Sequence, residues 1–358
     1  MFIMNPLELS VDETSSELFK VNEIEYKKSM NSLRKGVRQA AKRRHCLYCK
    51  KEVESFCNSH TIPDFVLRYI ANNGIVRTFN SILNIEIYEK EKGVKSAGTF
   101  HQICRKCDSE IFRKYEDEVA LTNRITDQMI YEIAMKNYLK MIDKRLIELE
   151  LNRQVTQLEP MRYVQEMDLQ EYLVAFDEAK KYDLLNKRHK YRILVDELLH
   201  YRVPIAFQGG IPLIVDLEGN IINDVYCMSE KYKIEELHLC IFPLKSNTRI
   251  LMFVNREYTH YERITKNRMK KLSFSDLLSL INYIVFLYSE EVYIKGDLSE
   301  EILRQLLDVS KMSTPMIFGT DIFEQTNTES DRILKEMYDL NKRNTIPNLL
   351  AENYKVVV

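Results

Sequence analysis

Net charge is what this chain most conspicuously lacks. Its 52 lysines and arginines are matched by 53 aspartates and glutamates, leaving a formal −1 at pH 7. Bulk attraction to a polyanion is thereby excluded, and any contact with nucleic acid must come from local clusters of basic side chains. Long apolar runs are lacking as well. The longest candidate, Leu277 to Tyr288, is broken by Ser279 and Asn282, well short of the roughly 20 residues that a membrane span needs. No apolar stretch of secretory type opens the chain. The expectation is a cytoplasmic protein with no membrane contact. There is no Gly-rich phosphate loop and no nucleophile elbow, which removes the commonest nucleotide-binding and esterase readings. From Glu118 to Tyr201 there is no glycine and one proline, Pro160.

What is present is a set of spaced cysteines. The seven cysteines are an odd count, and four stand in Cys-x-x-Cys pairs, which suits a reducing compartment and metal binding better than a disulfide framework. The pairs are Cys46-Leu-Tyr-Cys49 and Cys104-Arg-Lys-Cys107. Two such pairs separated by a loop can bring four thiolates to the corners of a tetrahedron around a structural zinc, with Zn–S distances of about 2.3 Å. Between them lies Ser59-His60-Thr-Ile-Pro63, and Asp108 follows the last cysteine. Cys57 is off the paired spacing and reads as a small buried apolar residue. His101 is either a spare ligand or a surface residue. His238 and Cys240 alternate on an apolar run and read as core, and Cys227 is isolated.

Those residues together resemble the zinc-bearing branch of the HNH (ββα-metal) endonucleases, across roughly a fifth of the chain. The resemblance implies that Cys46, Cys49, Cys104 and Cys107 hold zinc and that His60 is the general base. It also implies that Ser59 and Asp108 hold a catalytic Mg²⁺ or Mn²⁺. This chain departs from the family at two places. Ser59 stands where Asp or His is usual, and Asp108 stands where Asn or His is usual, so a carboxylate has moved to the opposite side of the site. Mg²⁺ and Mn²⁺ favour oxygen ligands and accept one carboxylate with waters and substrate phosphate.

Ahead of the first cysteine pair the charge changes sign. To about Tyr26 the chain is acidic; from Lys27 to Lys51 it carries only basic charges. Arg34, Arg38 and Lys42 recur at helical spacing, which predicts a basic helix, with Arg43 and Arg44 beside it, able to track phosphates. Cys46 to Phe56 reads as a knuckle and short strand, and His60 to Leu67 as a second strand turning at Pro63. Arg68 to Lys95 reads as an insertion. A helix through Asp108, Ile111, Phe112 and Tyr115 is predicted from its amphipathic pattern, with Asp108 in the first turn, where a carboxylate can also serve simply as a cap.

The rest divides into a helical region, 119–200, resuming through Leu194 to Leu199 after a break near Pro160, and a mixed α/β region, 201–358. In the latter, short β-rich runs precede helices at Ser275 to Ser289 and Leu298 to Ser310, with Asp297 or Ser299 as caps. The expected fold is α+β: an arm (1–45), a small ββα-metal or treble-clef zinc module (46–118), and a larger helical and β-sheet C-terminal domain. The leading functional expectation is a metal-dependent endonuclease hydrolysing DNA. HNH modules joined to larger parts are associated with bacterial anti-phage defence. The alternative is a catalytically degenerate zinc module that binds nucleic acid or a partner protein through its basic arm; the C-terminal domain is a separate candidate surface for a protein partner or a second copy.

Overall fold

The computed structural model describes residues 28, 32–33, 35–78, 91–154, 162–185, 190–224, 229, 232–261, 268–289, 291–312 and 327–357. The acidic N-terminal stretch, Arg34, the Ile82 to Ile87 segment, Pro160 and Cys227 lie outside these residues. In chain order the strands are β1 (Ser59–His60), β2 (Ile75–Thr78), β3 (Glu91–Gly93), β4 (Thr99–Phe100), β5 (Tyr191–Leu199), β6 (Ile205–Ile211), β7 (Leu237–Pro243), β8 (Thr248–Asn255) and β9 (Tyr293–Ile294). The helices used below are α1 (Asp64–Ile70), α2 (Arg105–Ile111), α3 (Glu118–Thr122), α4 (Asp127–Gln154), α5 (Arg162–Leu185), α6 (Phe274–Tyr288) and α7 (Glu300–Met312). The α+β expectation holds at that level.

Seven strands form one antiparallel sheet in the order β3-β2-β9-β6-β7-β8-β5. Its central strands explain why their sequences read as unbroken apolar runs. In β7, Leu237, Leu239 and Ile241 join one core while Cys240 and Phe242 join a second on the opposite face; in β8, Ile250, Met252 and Val254 alternate in the same way with Leu251 and Phe253. Because side chains alternate across a strand, a sheet covered on both sides needs apolar residues at every position. One face is covered by α6 and α7, the other by α4, α5 and the cysteine-bearing segment.

The inserted segment joins this sheet through its described residues 75–78 and 91–93. It supplies β2 and β3, with Arg77 and Thr78 of β2 in register with Ile294 and Tyr293 of β9. Two local predictions need correction. Residues 64–70 are helical, because Val66, Leu67 and Ile70 at helical spacing bury one face, Pro63 sets the start, and Asp64 pairs with Arg68 one turn on. Residues 191–199 are strand and not helix: β5 pairs with β8 along its length, with an irregularity between Ile193 and Val195. The expected helices near 275–289 and 298–310 are present as α6 and α7, and Ser299 supplies the cap, its Oγ accepting from the Ile302 amide at 3.4 Å. Among the described residues no helix is long and apolar enough to cross a membrane.

Helix α4 is the post on which the cysteine segment rests. Every residue from Met129 to Leu139 is buried, as expected of a helix enclosed on all sides. Its buried polar side chains each have a named partner. Glu132 accepts from the amides of Lys114 and Tyr115 at 3.1 and 3.0 Å. Asn137 bonds His238 and Gln208 on the sheet, and Lys136 reaches Asp108 and Glu116.

Candidate functional site

The first cysteine pair sits in a tight turn. Lys50 donates its amide to the Cys46 carbonyl, and the Cys46 amide donates to Lys51, both at 2.9 Å. Lys50 takes left-handed backbone, φ 60°, the turn that brings Cys49 back over Cys46. An isolated bridge between His45 and Glu52 closes the turn, in place of the short strand predicted there. The second pair opens α2, with Cys104 as the residue before its first turn and Cys107 inside it. Backbone bonds stitch the two pairs together: Leu47 donates to Gln102 and Cys57 to Ile103, each at 3.0 Å. From α5, Lys180 donates to the Tyr48 carbonyl at 2.6 Å.

These constraints bring the sulfurs of Cys46, Cys49, Cys104 and Cys107 within 4.8 Å of one another. A tetrahedral zinc with Zn–S of about 2.3 Å requires sulfurs about 3.8 Å apart, so the cluster fits. The Lys51 amide above all holds the Cys49 thiol down to about 7, while burial pushes Cys46 and Cys107 up. Four sulfurs this close cannot all ionise without a cation among them. The four cysteines can therefore hold a metal such as zinc.

Next to this cluster, β1 and β4 pair, Ser59 with Phe100 and His60 with Thr99. His60 Nε2 lies 3.1 Å from the Val94 carbonyl. A neutral imidazole donating Nε2–H there keeps its Nδ1 lone pair free as a base. Asp108 lies in the first turn of α2, but its carboxylate faces across the site. Oδ1 accepts from Ser59 Oγ and from Lys136 Nζ at 3.2 Å, and Oδ2 accepts from Cys57 Sγ at 3.4 Å. Burial pushes the Asp108 carboxyl up, yet the Lys136 charge and the three hydrogen bonds outweigh it and hold it below the ordinary carboxylate range. The same Lys136 Nζ donates to Glu116 Oε1 at 2.5 Å and lies 4.0 Å from the centre of the Phe112 ring.

Two participants have no role assigned from sequence, and a third, Cys57, reads there as a small buried apolar residue but is neither fully buried nor without a polar partner. Glu116 reads as an outward residue on a helix running past Tyr115; α2 ends at Ile111, and the following turn brings Glu116 inward. Burial pushes its carboxyl up, only partly offset by Lys136, and His60 lies close enough to influence it. Lys136, fully buried, hides in an apolar helix. A lysine amid Ile130, Ile133, Met135 and Leu139 is itself a signal, since buried ammonium groups need carboxylate partners. Cys57 is half-buried and bonded to Asp108, and burial together with Asp108 pushes its thiol up to about 11. Ser59 is buried, its hydroxyl engaged by Asp108. His101 is apart from the four sulfurs, its amide donating to Asp143 at 3.3 Å.

The Lys136 ammonium thus bridges the Asp108 and Glu116 carboxylates from inside the core. The basic arm is partly described. Residues 35–40 are helical, and the chain leaves the helix before Lys42, which is therefore not on the predicted helical face. Arg38, Lys42 and Arg44 are exposed and Arg43 half-buried. Lys42 and Arg43 line a cleft of about 720 Å³ against α4 and α5, which also contribute Arg153, Glu150 and Glu166. His238 and Cys240 are buried in the core, as the alternation predicted. No family description, curated protein or solved structure matches this chain.

Proposed function

We propose that the chain is a zinc-stabilised endonuclease of HNH-like (ββα-metal) type that hydrolyses phosphodiester bonds of cytoplasmic DNA. The observation that carries this reading is the placement of His60 on the antiparallel β1–β4 pair. There its Nε2 is engaged by the Val94 carbonyl, while the neighbouring Ser59 bonds Asp108 of α2, the helix that also carries Cys107 of the four clustered cysteines. His60 Nδ1 takes the proton of the attacking water. Ser59 and Cys57 hold the Asp108 carboxylate in one orientation, and the arm at Arg38, Lys42 and Arg44 tracks phosphates. A Mg²⁺ or Mn²⁺ ion held by Asp108, with Glu116 opposite, would supply charge stabilisation at the phosphate and leaving oxygen. A positioned base contributes about 10²- to 10⁴-fold, so His60 alone leaves most of the acceleration to that stabilisation. The architecture, a small zinc module on a larger unassigned part, extends the proposal to bacterial anti-phage defence.

One observation favours a second reading. Lys136 already neutralises Asp108 from a buried position, which suits a zinc module that has given up catalysis and binds nucleic acid or a protein partner. Incubating supercoiled DNA with the purified chain, with and without added Mg²⁺ or Mn²⁺, separates the two. Nicking that depends on the divalent ion supports the nuclease, and binding without nicking supports the module.

A further inference from the structure

A chain without net charge must concentrate its cations locally to attract a polyanion, and one such concentration forms around His101. His60 pairs with Thr99 across β1 and β4, and side chains alternate along a strand. Ser59 and Phe100 are buried, His60 and Thr99 are partly exposed, and His101, two residues beyond Thr99, is exposed. His60 and His101 thus occupy diagonal positions on the outer face, a spacing of about 7–8 Å.

The backbone at His101 is anchored to α4, where Asp143 Oδ1 accepts from its amide at 3.3 Å and from Gln102 Nε2 at 2.8 Å. Its ring meets the charges of Lys42 and Arg38 from the arm and of Asp143 and Lys140 from α4. Lys140 lies one turn before Asp143, on the same side of the helix. Arg38 and Lys42 are exposed, and no described carboxylate forms an ion pair with either. Lys140 Nζ bonds Glu291 Oε2 at 2.8 Å, which engages one of three ammonium donors, and Lys92 and Lys144 also act on that carboxylate. The cations outnumber the carboxylates at the rim. Gathering like charges around an exposed imidazole gains nothing for the fold, whereas an arriving anion relieves their repulsion.

We propose that Arg38, Lys42, His101 and Lys140 form a phosphate-binding site on the outer face of the β1–β4 pair, which holds the backbone phosphate next to the one placed at His60. The ligand, DNA, is taken from the nuclease reading; His101 and Lys140 are added from outside the arm. The substrate strand then runs from the arm across β4 to His60. Phosphate contacts position without specifying, so the site serves all sequences alike.

The test is binding of a fluorescein-labelled DNA duplex to the zinc-loaded, full-length protein at pH 7, read by anisotropy across a salt series without added divalent ion. His101→Glu sets a carboxylate among the three cations and should weaken binding by about tenfold or more. His101→Arg should tighten it, a gain that misfolding cannot produce. Lys140→Gln should flatten the slope of log K against log[salt] by about 0.9. Lys335→Gln is the control for overall charge, because Lys335 is exposed beside Leu334, which packs on the opposite side of the sheet; its affinity and slope should match the parent. Parent-like binding by His101→Glu, no gain in His101→Arg, equal weakening by Lys335→Gln and Lys140→Gln, or no binding by the parent would overturn the inference. Nicking with added Mg²⁺ or Mn²⁺ is scored separately. The expected binding pattern without nicking sinks the nuclease reading alone, and nicking with binding indifferent to His101→Glu sinks this inference alone.

Discussion

Removing one zinc thiolate should open part of this molecule and leave the rest closed. Cys49 and Cys104 are roughly 55 residues apart in sequence. A cross-link closing a loop of that length removes on the order of 4 kcal/mol of unfolded-chain entropy at 25 °C. Besides Leu47, Phe100 and Ile103, which enter the second core, the region is held by β1 and β4, paired over two residues each, by a few backbone bonds of the knuckle and by Lys180. In contrast, β7 and β8 lie between two cores with almost every side chain buried. Cys104→Ser should therefore lose its zinc, and amide exchange in 45–58 and 99–111 should accelerate by up to about a thousandfold, since about 1.4 kcal/mol is a factor of ten. Exchange in β7 and β8 should be unchanged. Metal analysis and hydrogen-exchange mass spectrometry read both effects. Full zinc occupancy in Cys104→Ser, unchanged exchange in the cysteine segment, or equal loss across the sheet would refute the reasoning.

Replacing Arg38, Lys42 and Arg44 together by alanine should flatten the dependence of log K on log[salt] for duplex DNA by roughly two to three, at about 0.9 per phosphate contact, weakening all sequences alike. An unaltered slope in a salt series means that the exposed arm is only solvated. His238 is buried on β7 between Asn137 and Tyr138, and burial holds its imidazole down to about 3 against an ordinary 6.5. The unfolded chain takes up a proton below pH 6.5 that the folded chain refuses until about pH 3, so this residue lowers stability as pH falls through that window, by at most about 1.4 kcal/mol per pH unit. Urea denaturation at pH 7, 6, 5 and 4 should show a shallower acid loss in His238→Gln than in the parent; identical pH slopes would count against the neutral, buried assignment. Glu236 acts with the opposite sign. Burial raises its carboxyl to about 7, and Tyr172 donates to it at 2.9 Å. Its contribution is fully present below about pH 4.5 and lost as pH rises through 7, so Glu236→Gln should gain stability relative to the parent at pH 8 and not at pH 4.

The cluster of four cysteines was legible because Cys-x-x-Cys spacing is local and the chemistry of four thiolates is narrow. The β6, β7 and β8 runs were legible from their β-branched, apolar composition and their turns. What failed did so where tertiary contacts override local pattern. Leu194 to Leu199 contains good helix formers, yet the edge of β8 claims it, with the rest of β5, as a strand paired at eight positions from Tyr191 to Leu199. Ile75 to Thr78 reads as part of an insertion because its partner, β9, lies more than 200 residues away in sequence. The site shows the same division. His60 and Asp108 belong to motifs, whereas Lys136 arrives from a helix whose sequence reads as scaffold, and Glu116 reaches the site only because α2 stops at Ile111. Two charges inside a buried helix, Glu132 and Lys136, were the available clue.

The central claim, that His60 is the base of a phosphodiesterase, is tested most directly by comparing the parent and His60→Ala in single-turnover DNA cleavage, with Mn²⁺ present and zinc content matched. The account predicts a rate lower by about 10²- to 10⁴-fold in the variant with zinc and fold retained. Cleavage at the parent rate by His60→Ala, or no cleavage by either protein, would contradict it.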